Sequence, residues 1–330
     1  MKNFLSLTAG ICIAVISSAQ YNSQNLSIKE TEAVQFTYKN LRLYPIYANE
    51  VFISANKNIG KYTSLDSALA QKKVVVTETG GRISEVNNNR DEAVVESFSS
   101  SGTVNQLLIE NISSDTLMLL AGEVVKGGQQ DRVIASDMII PPKSGKIPLP
   151  VFCVEHGRWT PANAENNFYG FTDASTTVRK EAVVNKSQQG VWEEVKVVTE
   201  KNNATTGTGT FSALDTSRVY NNEQKGYMDF FTAAMKGQGN VIGMVVCTGD
   251  TVLGCDMFAT PQMFNVYFDN LVKSYSSEAI SHGSKPTISF GEVQGYVNKI
   301  LADESKQEAD VTKNGTILKN NGRKLHMAKF

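Results

Sequence analysis

The sequence predicts an α+β fold in which an antiparallel, β-rich first half packs with helices and a hairpin from the second half. Between residues 94 and 159, five strand-like segments follow one another with short turn sequences between them, which is typical of an antiparallel sheet or sandwich. After residue 159 the apolar residues recur at helical spacing instead. A β-rich region followed by a helix-rich region favours α+β over an alternating α/β arrangement.

The first half of the chain contains strand patterns interrupted by one short helix. Residues 25–54 favour strands, Ser64 is placed to begin a helix at Leu65, and residues 72–81 return to strand and turn. The five segments of the β-rich region are residues 94–99, 104–111, 115–125, 132–140 and 146–159.

The second half of the chain is mainly helical, with two hairpins. Proline is favoured in the first turn of a helix, and Asn-Gly is typical of a two-residue hairpin turn. The predicted elements are a helix at 187–199, a helix at 224–235, a hairpin turning at 248–251, a helix from Pro261 to near Gly283, a short helix at 291–302 and a terminal hairpin at Asn321 and Gly322.

Residues 1–19 have the pattern of a secretory signal peptide. Lys2 precedes a short apolar run, and small residues end at Ala19, where a signal peptidase would cut. We therefore expect an exported protein, periplasmic or extracellular, with no membrane span after cleavage. Residues 20–330 are expected to form a single α+β domain, with a possible subdivision near 160–186.

The composition excludes some kinds of partner and site. The formal net charge is −1, so there is no basic excess of the kind that nucleic-acid binding requires. The three histidines show no HExxH or CxxC spacing, so no metal site is expected. The sequence indicates neither a cofactor nor an oligomeric state.

Three cysteines remain after the proposed cleavage, an odd number for an exported protein. We expect Cys153, Cys247 and Cys255 to be buried thiols. With a two-residue turn inside residues 248–251, Cys255 is expected to face Met244. Cys247 and Cys255 would then point to opposite faces of the hairpin and would not meet.

Two polar stretches, KGGQQDRV at 126–133 and CVEHGRW at 153–159, interrupt the strand patterns. Alternation places Cys153 and Glu155 on one face of their strand and His156 on the other. This separation disfavours a Cys–His nucleophile pair. The two stretches are expected to be neighbours at the end of one sheet.

The segments LLAGEVVKGGQQDRV and IPLPVFCVEHGRW resemble the ARG and rhodanese–phosphatase superfamily-associated protein family, where ARG denotes ADP-ribosylglycohydrolase. The resemblance covers much of residues 100–280, and its specific part lies within 119–159. It implies an association with ADP-ribose-related enzymes but no established reaction. The matching residues are Ala121, Gly122, Glu123, Gly127, Gly128, Gln129 or Gln130, Arg132, Cys153, Glu155, Gly157, Arg158 and Trp159.

A site for a small polar molecule, resembling a sugar or a nucleotide, is the first functional hypothesis. Glycine lets a ligand approach the backbone closely, arginine and lysine supply charge, and tryptophan can stack on a ring. The candidate ligand-binding residues are Lys126, Gly127, Gly128, Gln129, Gln130, Arg132, Arg158 and Trp159.

Two alternatives remain open. Glu123 and Glu155 would be the acid and base of a hydrolase that cleaves a glycosidic or N-glycosidic bond. In the other alternative, Glu123, Glu155, Arg132 and Arg158 form an ion-pair network that only stabilises the fold. The two differ in whether these side chains face a ligand.

Overall fold

A computed structural model describes residues 20–79, 105–158 and 167–330 of the chain. Within these ranges the predicted α+β class is confirmed, because antiparallel sheets in the first half combine with helices and a terminal hairpin in the second. The proposed signal peptide (1–19) and the strand predicted at 94–99 lie outside the described residues, as does Trp159.

The strands of the described residues are short, and all of them pair antiparallel. In chain order they are β1 (Leu26–Ser27), β2 (Thr37–Tyr38), β3 (Leu41–Ala48), β4 (Val74–Glu78), β5 (Gln106–Asn111), β6 (Leu117–Leu119), β7 (Glu123–Gly127), β8 (Arg132–Ile134), β9 (Met138–Ile140), β10 (Ile147–Cys153), β11 (Phe168–Asp173), β12 (Val241–Thr248), β13 (Thr251–Phe258), β14 (Gly315–Asn320) and β15 (Arg323–Lys329).

The helices lie mainly after β11. They are α1 (Glu50–Asn56), α2 (Leu65–Ala70), α3 (Thr176–Lys180), α4 (Gln188–Lys201), α5 (Arg218–Met235), α6 (Pro261–Ser281), α7 (Phe290–Ile300) and α8 (Glu304–Asn314). A π-helical turn at Glu181–Asn185 follows α3, and 3₁₀ turns lie at Glu30–Glu32 and Phe211–Thr216.

The first sheet joins the two ends of the described chain. Its strand order is β1-β3-β12-β13-β15-β14, and β2 pairs with β3. One face packs on α5 and α6, and the other packs on α1, α7 and α8, so apolar side chains are buried on both sides. Burial on both faces explains why β12 is apolar almost throughout rather than alternating.

The second sheet has the order β11-β7-β8-β10-β5-β4. One face buries Val125 and Val151 in a core that includes α2, β6 and β9. The opposite face buries Val124 and Val133 against α3 and α4. The alternation of β10 predicted from the sequence is confirmed by this division between two cores.

The segment predicted as one strand at 115–125 is two strands in different sheets. Gly122 separates β6 from β7 with a φ of +99°, a conformation that residues with a side chain rarely adopt. A Cβ at Gly122 would also lie 2.6 Å from Cγ of Arg179. The prediction for residues 25–54 likewise missed α1, which begins after the N-cap residue Asn49.

The hairpin of β12 and β13 turns where predicted, but a bulge changes its register. Cys247 faces Val252 as expected, whereas Cys255 faces Val245 rather than Met244. Cys247 and Cys255 therefore lie in the same buried core, and the expectation that they point to opposite faces was wrong. Both are free thiols.

Candidate functional site

The two polar stretches are neighbours in the second sheet, as the sequence predicted. Arg132 on β8 faces Cys153 on β10 in the antiparallel register. The turn between β7 and β8 closes around Asp131, whose Oδ1 accepts a hydrogen bond of 3.0 Å from the amide of Gly127. The sequence did not indicate this role for Asp131.

The glycine-rich turn packs against the protein rather than facing solvent. Gly128 has a φ of +52°, and a Cβ there would lie 2.4 Å from the ring of Phe168. The side chains of Gln129 and Gln130 are both buried. The ammonium of Lys126 forms an ion pair with Asp215, with 2.7 Å between Nζ and Oδ2. The absence of side chains at Gly127 and Gly128 therefore allows other residues of the protein, rather than a ligand, to pack against the turn.

Arg158 links the turn to the end of the β10 segment. Its guanidinium lies 2.7 Å from the carboxylate of Glu155 and 3.2 Å from that of Asp131, and Nη1 donates to the carbonyl of Gly128 at 2.9 Å. Glu155 and Asp131 are buried, while 31% of the Arg158 side chain is exposed. The pairing stabilises two carboxylates that would be costly to bury alone.

Arg132 contacts this cluster only through the backbone, where its Nη1 donates to the carbonyl of Asp131 at 3.4 Å. Its Nη2 lies 3.9 Å from Oε1 of Glu78 on β4, and both side chains are almost fully buried. Glu78 also accepts a 2.8 Å hydrogen bond from the amide of Gln129. The partner predicted for Arg132 was a glutamate of the two motifs, so Glu78 was missed.

Glu123 lies at the opposite end of β7 from the Arg158 cluster. A strand rises about 3.3 Å per residue, so four residues place the Cα of Glu123 about 13 Å from that of Gly127. The carboxyl groups of glycosidases lie about 5–9.5 Å apart. Glu155 interacts with Arg158 near Gly127 rather than with Glu123.

Glu123 instead forms part of a small internal cavity. It faces Asp173 of β11 in the register of the sheet, and Oε2 of Glu123 accepts a 2.9 Å hydrogen bond from the amide of Leu120. The cavity, of about 20 Å³, is also lined by Asn270 and Ser274 of α6. It is large enough for one water molecule.

The carboxyl groups at this cavity favour their protonated forms. Burial raises the pKa of Glu123 well above its usual range, and the nearby charge of Asp173 raises it further. Burial also raises the pKa of Asp173, to about 7. Four buried polar atoms at the cavity make no hydrogen bond with the described residues: Glu123 Oε1, Asp173 Oδ2, Asn270 Nδ2 and Ser274 Oγ.

A second buried ionic network connects α3, α6 and the segment before β9 to the first sheet. Arg179 of α3 binds Asp256 of β13 at 2.7 and 3.3 Å. Asp256 also accepts from Tyr275 and contacts Nε2 of His326, whose Nδ1 lies 2.6 Å from Asp137. Burial opposes the charge, but Asp137 and Asp256 raise the pKa of His326 to about 8. Sequence reasoning did not find this network.

A solvent-open groove lies beside the end of the β10 segment. Its volume is about 670 Å³, within the range of small-molecule sites. His156 and Gly157 form one edge, α4 forms a wall, and residues 205–209 form the other wall. The ring of Trp192 meets that of His156 edge to face, with centroids 4.6 Å apart. The sequence placed Trp192 on the inward face of its helix, and it is only partly buried.

The loop wall of the groove is fixed to the motif strand by backbone hydrogen bonds. The amide of Gly157 donates to the carbonyl of Thr208 at 2.7 Å, and that of Phe211 donates to Val154 at 2.9 Å. A Cβ at Gly157 would lie 3.1 Å from Thr208 Cα, so glycine permits this approach. Asp131 also holds the loop, because its Oδ2 accepts from the hydroxyl of Thr210 at 2.9 Å.

Cys153 lies away from the groove, in the interior. Its backbone amide and carbonyl both bond to the side-chain amide of Gln188, at 2.9 and 2.8 Å. Burial raises the pKa of the Cys153 thiol, which reduces its reactivity. His156 is exposed on the other side of the strand, as alternation predicted.

The described residues contain no group of three or more His, Cys, Asp or Glu side chains arranged to hold a metal ion. No helix in these parts of the chain combines the length and the apolar character needed to cross a membrane.

The fold and the site define an α+β protein whose described residues form two large antiparallel sheets and a small one of β6 and β9, with an open groove at the end of the motif strand. The chain belongs to the ARPP-1 family: the model of the ARG and Rhodanese-Phosphatase-superfamily-associated Protein domain matches residues 30–328. This match confirms the resemblance carried by the two motifs. Searches of curated proteins and of solved structures found no match.

Proposed function

We propose that this protein binds a small polar ligand in the groove between α4 and residues 205–209. The observation that carries this proposal is the position of the groove: the edge formed by His156 and Gly157 belongs to the same segment as the motif residues Glu155 and Arg158. The groove also combines an aromatic pair with polar side chains, as small-molecule sites usually do.

In this proposal Gly157 is the motif residue that lines the groove within the described part of the chain. Gly128 and Gln130 lie in the packed turn and Arg132 on β8, and none of the three lines the groove. The cluster of Arg158, Glu155 and Asp131 holds the strand end and the loop in place. Ligand binding and a stabilising ion-pair network, which the sequence offered as alternatives, are thus compatible roles of neighbouring residues.

The hydrolase alternative receives no support from the placement of its two carboxylates. Glu123 and Glu155 belong to separate clusters at opposite ends of β7, and Glu123 lines a cavity of only about 20 Å³. A substrate sugar does not fit a space of that size. Export remains part of the proposal and rests on the sequence of residues 1–19; the N-terminal residue of protein recovered from outside the cytoplasm tests it.

Tryptophan fluorescence tests the ligand proposal directly. The chain has two tryptophans, so the signal of the wild-type chain is compared with that of a Trp192→Phe variant, which leaves Trp159 unchanged. Titration with neutral oligosaccharides, ADP-ribose and nucleotides should give a saturable change for at least one class, with a matching rise in Tm.

Two variants locate the binding. Trp192→Ala should weaken it at least tenfold. Phe230→Ala is the control, because Phe230 is a partly buried aromatic side chain of α5 that does not line the groove. If no ligand of the panel binds, or if binding survives Trp192→Ala unchanged, the groove is not the site.

A further inference from the structure

The charged side chains of the groove disfavour an anionic ligand. The lining contains the carboxylates of Glu193 and Glu200 and a single ammonium, that of Lys196. Lys196 lies 3.8 Å from Glu200, so its charge is already partly compensated. Apart from His156, the groove therefore carries one net negative charge. A phosphate placed there would meet repulsion rather than a cluster of cations.

The cations and amides near the groove do not supply an anion site either. Arg158, which follows Gly157 in the chain, binds the carboxylates of Glu155 and Asp131. The amide of Gly157 donates to Thr208, and that of Gly209 donates to Thr206. The groove runs along α4 from Gln189, in the first turn, to Glu200, and in that turn the amide of Gly190 already donates to the hydroxyl of Ser187.

The remaining lining groups suit a neutral molecule rich in hydroxyl groups. Thr205, Thr206 and Thr208 place hydroxyls along the loop wall. A hydroxyl can donate or accept, so it can pair with a sugar hydroxyl in either direction. Opposite them, Gln189 and the carboxylates offer further acceptors, and the Trp192 ring provides an apolar surface for the C–H face of a sugar ring.

From these observations we infer that the ligand is a neutral saccharide, without phosphate or other acidic groups. The inference rests on the proposed function, since it specifies the ligand of the same groove. It is independent of the ADP-ribose association in the family name, which would favour a pyrophosphate-containing ligand.

Matched ligands that differ in charge test this inference. The probes are maltotriose, cellotriose and chitotriose as neutral saccharides, glucose against glucose 6-phosphate, and ribose against ADP-ribose. Affinities are measured by calorimetry in the full mature chain, and the fluorescence change of that chain is compared with that of a Trp192→Phe variant. At least one neutral saccharide should bind, and every phosphate-bearing probe should bind at least tenfold more weakly than it.

A charge variant adds a second readout. Glu193→Gln combined with Glu200→Gln removes both carboxylates and leaves Lys196 unopposed. Affinity for the neutral saccharide should fall, because two carboxylates that accept from its hydroxyls become amides, while affinity for the phosphate-bearing probes should rise and become sensitive to salt. Asp229→Asn on α5 is the control for a general change in surface charge.

The outcomes separate the two proposals. Tight binding of a phosphate-bearing probe that Trp192→Ala abolishes would overturn the saccharide inference and leave the groove as the site. Saccharide binding that Trp192→Ala leaves unchanged would place the site elsewhere and overturn both. A panel with no binder at millimolar concentration would also count against both.

Discussion

Glu123 and Asp173 face each other across β7 and β11, both buried, at the edge of a cavity of about 20 Å³. One oxygen of each carboxyl group makes no hydrogen bond with the described residues. Asn270 and Ser274 of α6 line the same cavity. Glu123 and Asp173 therefore lie where the second sheet meets α6, and the charge at this position depends on pH.

Stability is expected to fall as pH rises because of Asp173. Burial raises its pKa from 3.8 to about 7, so between these values the folded state holds a proton that the unfolded state has released. Below about pH 3.8, Asp173 therefore does not reduce the free energy of unfolding. The reduction grows as the pH rises and reaches about 4 kcal/mol above pH 7. Lys273 and Arg179 oppose the shift, and Asp66 adds to it. Urea denaturation at pH 5 and pH 8 measures the change.

Asp173→Asn is the variant that isolates this effect. It should reduce the decline between pH 4 and pH 7 and raise stability at pH 8, while Glu123, whose pKa is also raised by burial, should still contribute a decline above its ordinary value of 4.5. His326 leaves a residual decline: its pKa is raised from 6.5 to about 8, so its contribution is complete below 6.5 and lost as pH passes 8. An unchanged pH dependence in Asp173→Asn would show that this carboxyl group does not titrate as proposed.

Gly128→Ala is expected to destabilise the protein by about 3 kcal/mol. The left-handed backbone costs about 1–2 kcal/mol for alanine, and the new Cβ would press on the Phe168 ring. Gly237→Ala is the control, because its φ is also positive, at +85°, but no atom lies within 4 Å of the added Cβ. Thermal or urea unfolding should show a loss of only about 1 kcal/mol there. Equal losses would mean that packing at Gly128 does not matter.

Arg132 and Glu78 should behave as a coupled pair in a double-mutant cycle. Removing one partner leaves a buried charge without compensation, which typically costs 3–5 kcal/mol. Arg132→Met and Glu78→Gln are each expected to cost about 3 kcal/mol, and the double variant should cost at least about 1 kcal/mol less than their sum.

An exposed pair provides the comparison for that cycle. Lys73 and Asp115 lie 2.7 Å apart but are about one-third and two-fifths exposed, so Lys73→Met should cost less than about 1 kcal/mol. Strict additivity of Arg132→Met and Glu78→Gln would contradict an ion pair at 3.9 Å that stabilises the sheet.

The sequence predicted the parts of the site that depend on local patterns. Alternation placed Glu155 and His156 on opposite faces, and the two polar stretches were expected to be neighbours, as they are on β8 and β10. The partners of buried charges were not predictable in this way. Arg179 and Asp256 are separated by 77 residues in different elements, and no periodicity relates them.

The burial of the glycine-rich turn could not be predicted from the sequence either. Gly127 and Gly128 are compatible with a ligand contact or with close packing, and the choice depends on Phe168 and Asn167, about 40 residues away. The hairpin register failed for a similar reason, since a bulge of one residue reverses which side chains share a face.

The hydroxyls of Thr210 and Ser212 are expected to connect the buried cluster to the groove. Both donate to Oδ2 of Asp131, at 2.9 and 2.8 Å, and they directly follow the loop wall at 205–209. Ser212→Ala and Thr210→Val should each cost about 1–3 kcal/mol, because a buried carboxylate loses a hydrogen bond. The loop at 205–209 should then exchange its amide hydrogens faster, and the protein should bind the groove ligand several-fold more weakly.

Thr216→Val is the control, since that hydroxyl bonds to the carbonyl of Ala213 in the same 3₁₀ turn and not to Asp131. Hydrogen exchange at 205–209 that responds equally to Thr216→Val would mean that Asp131 does not position the wall of the groove.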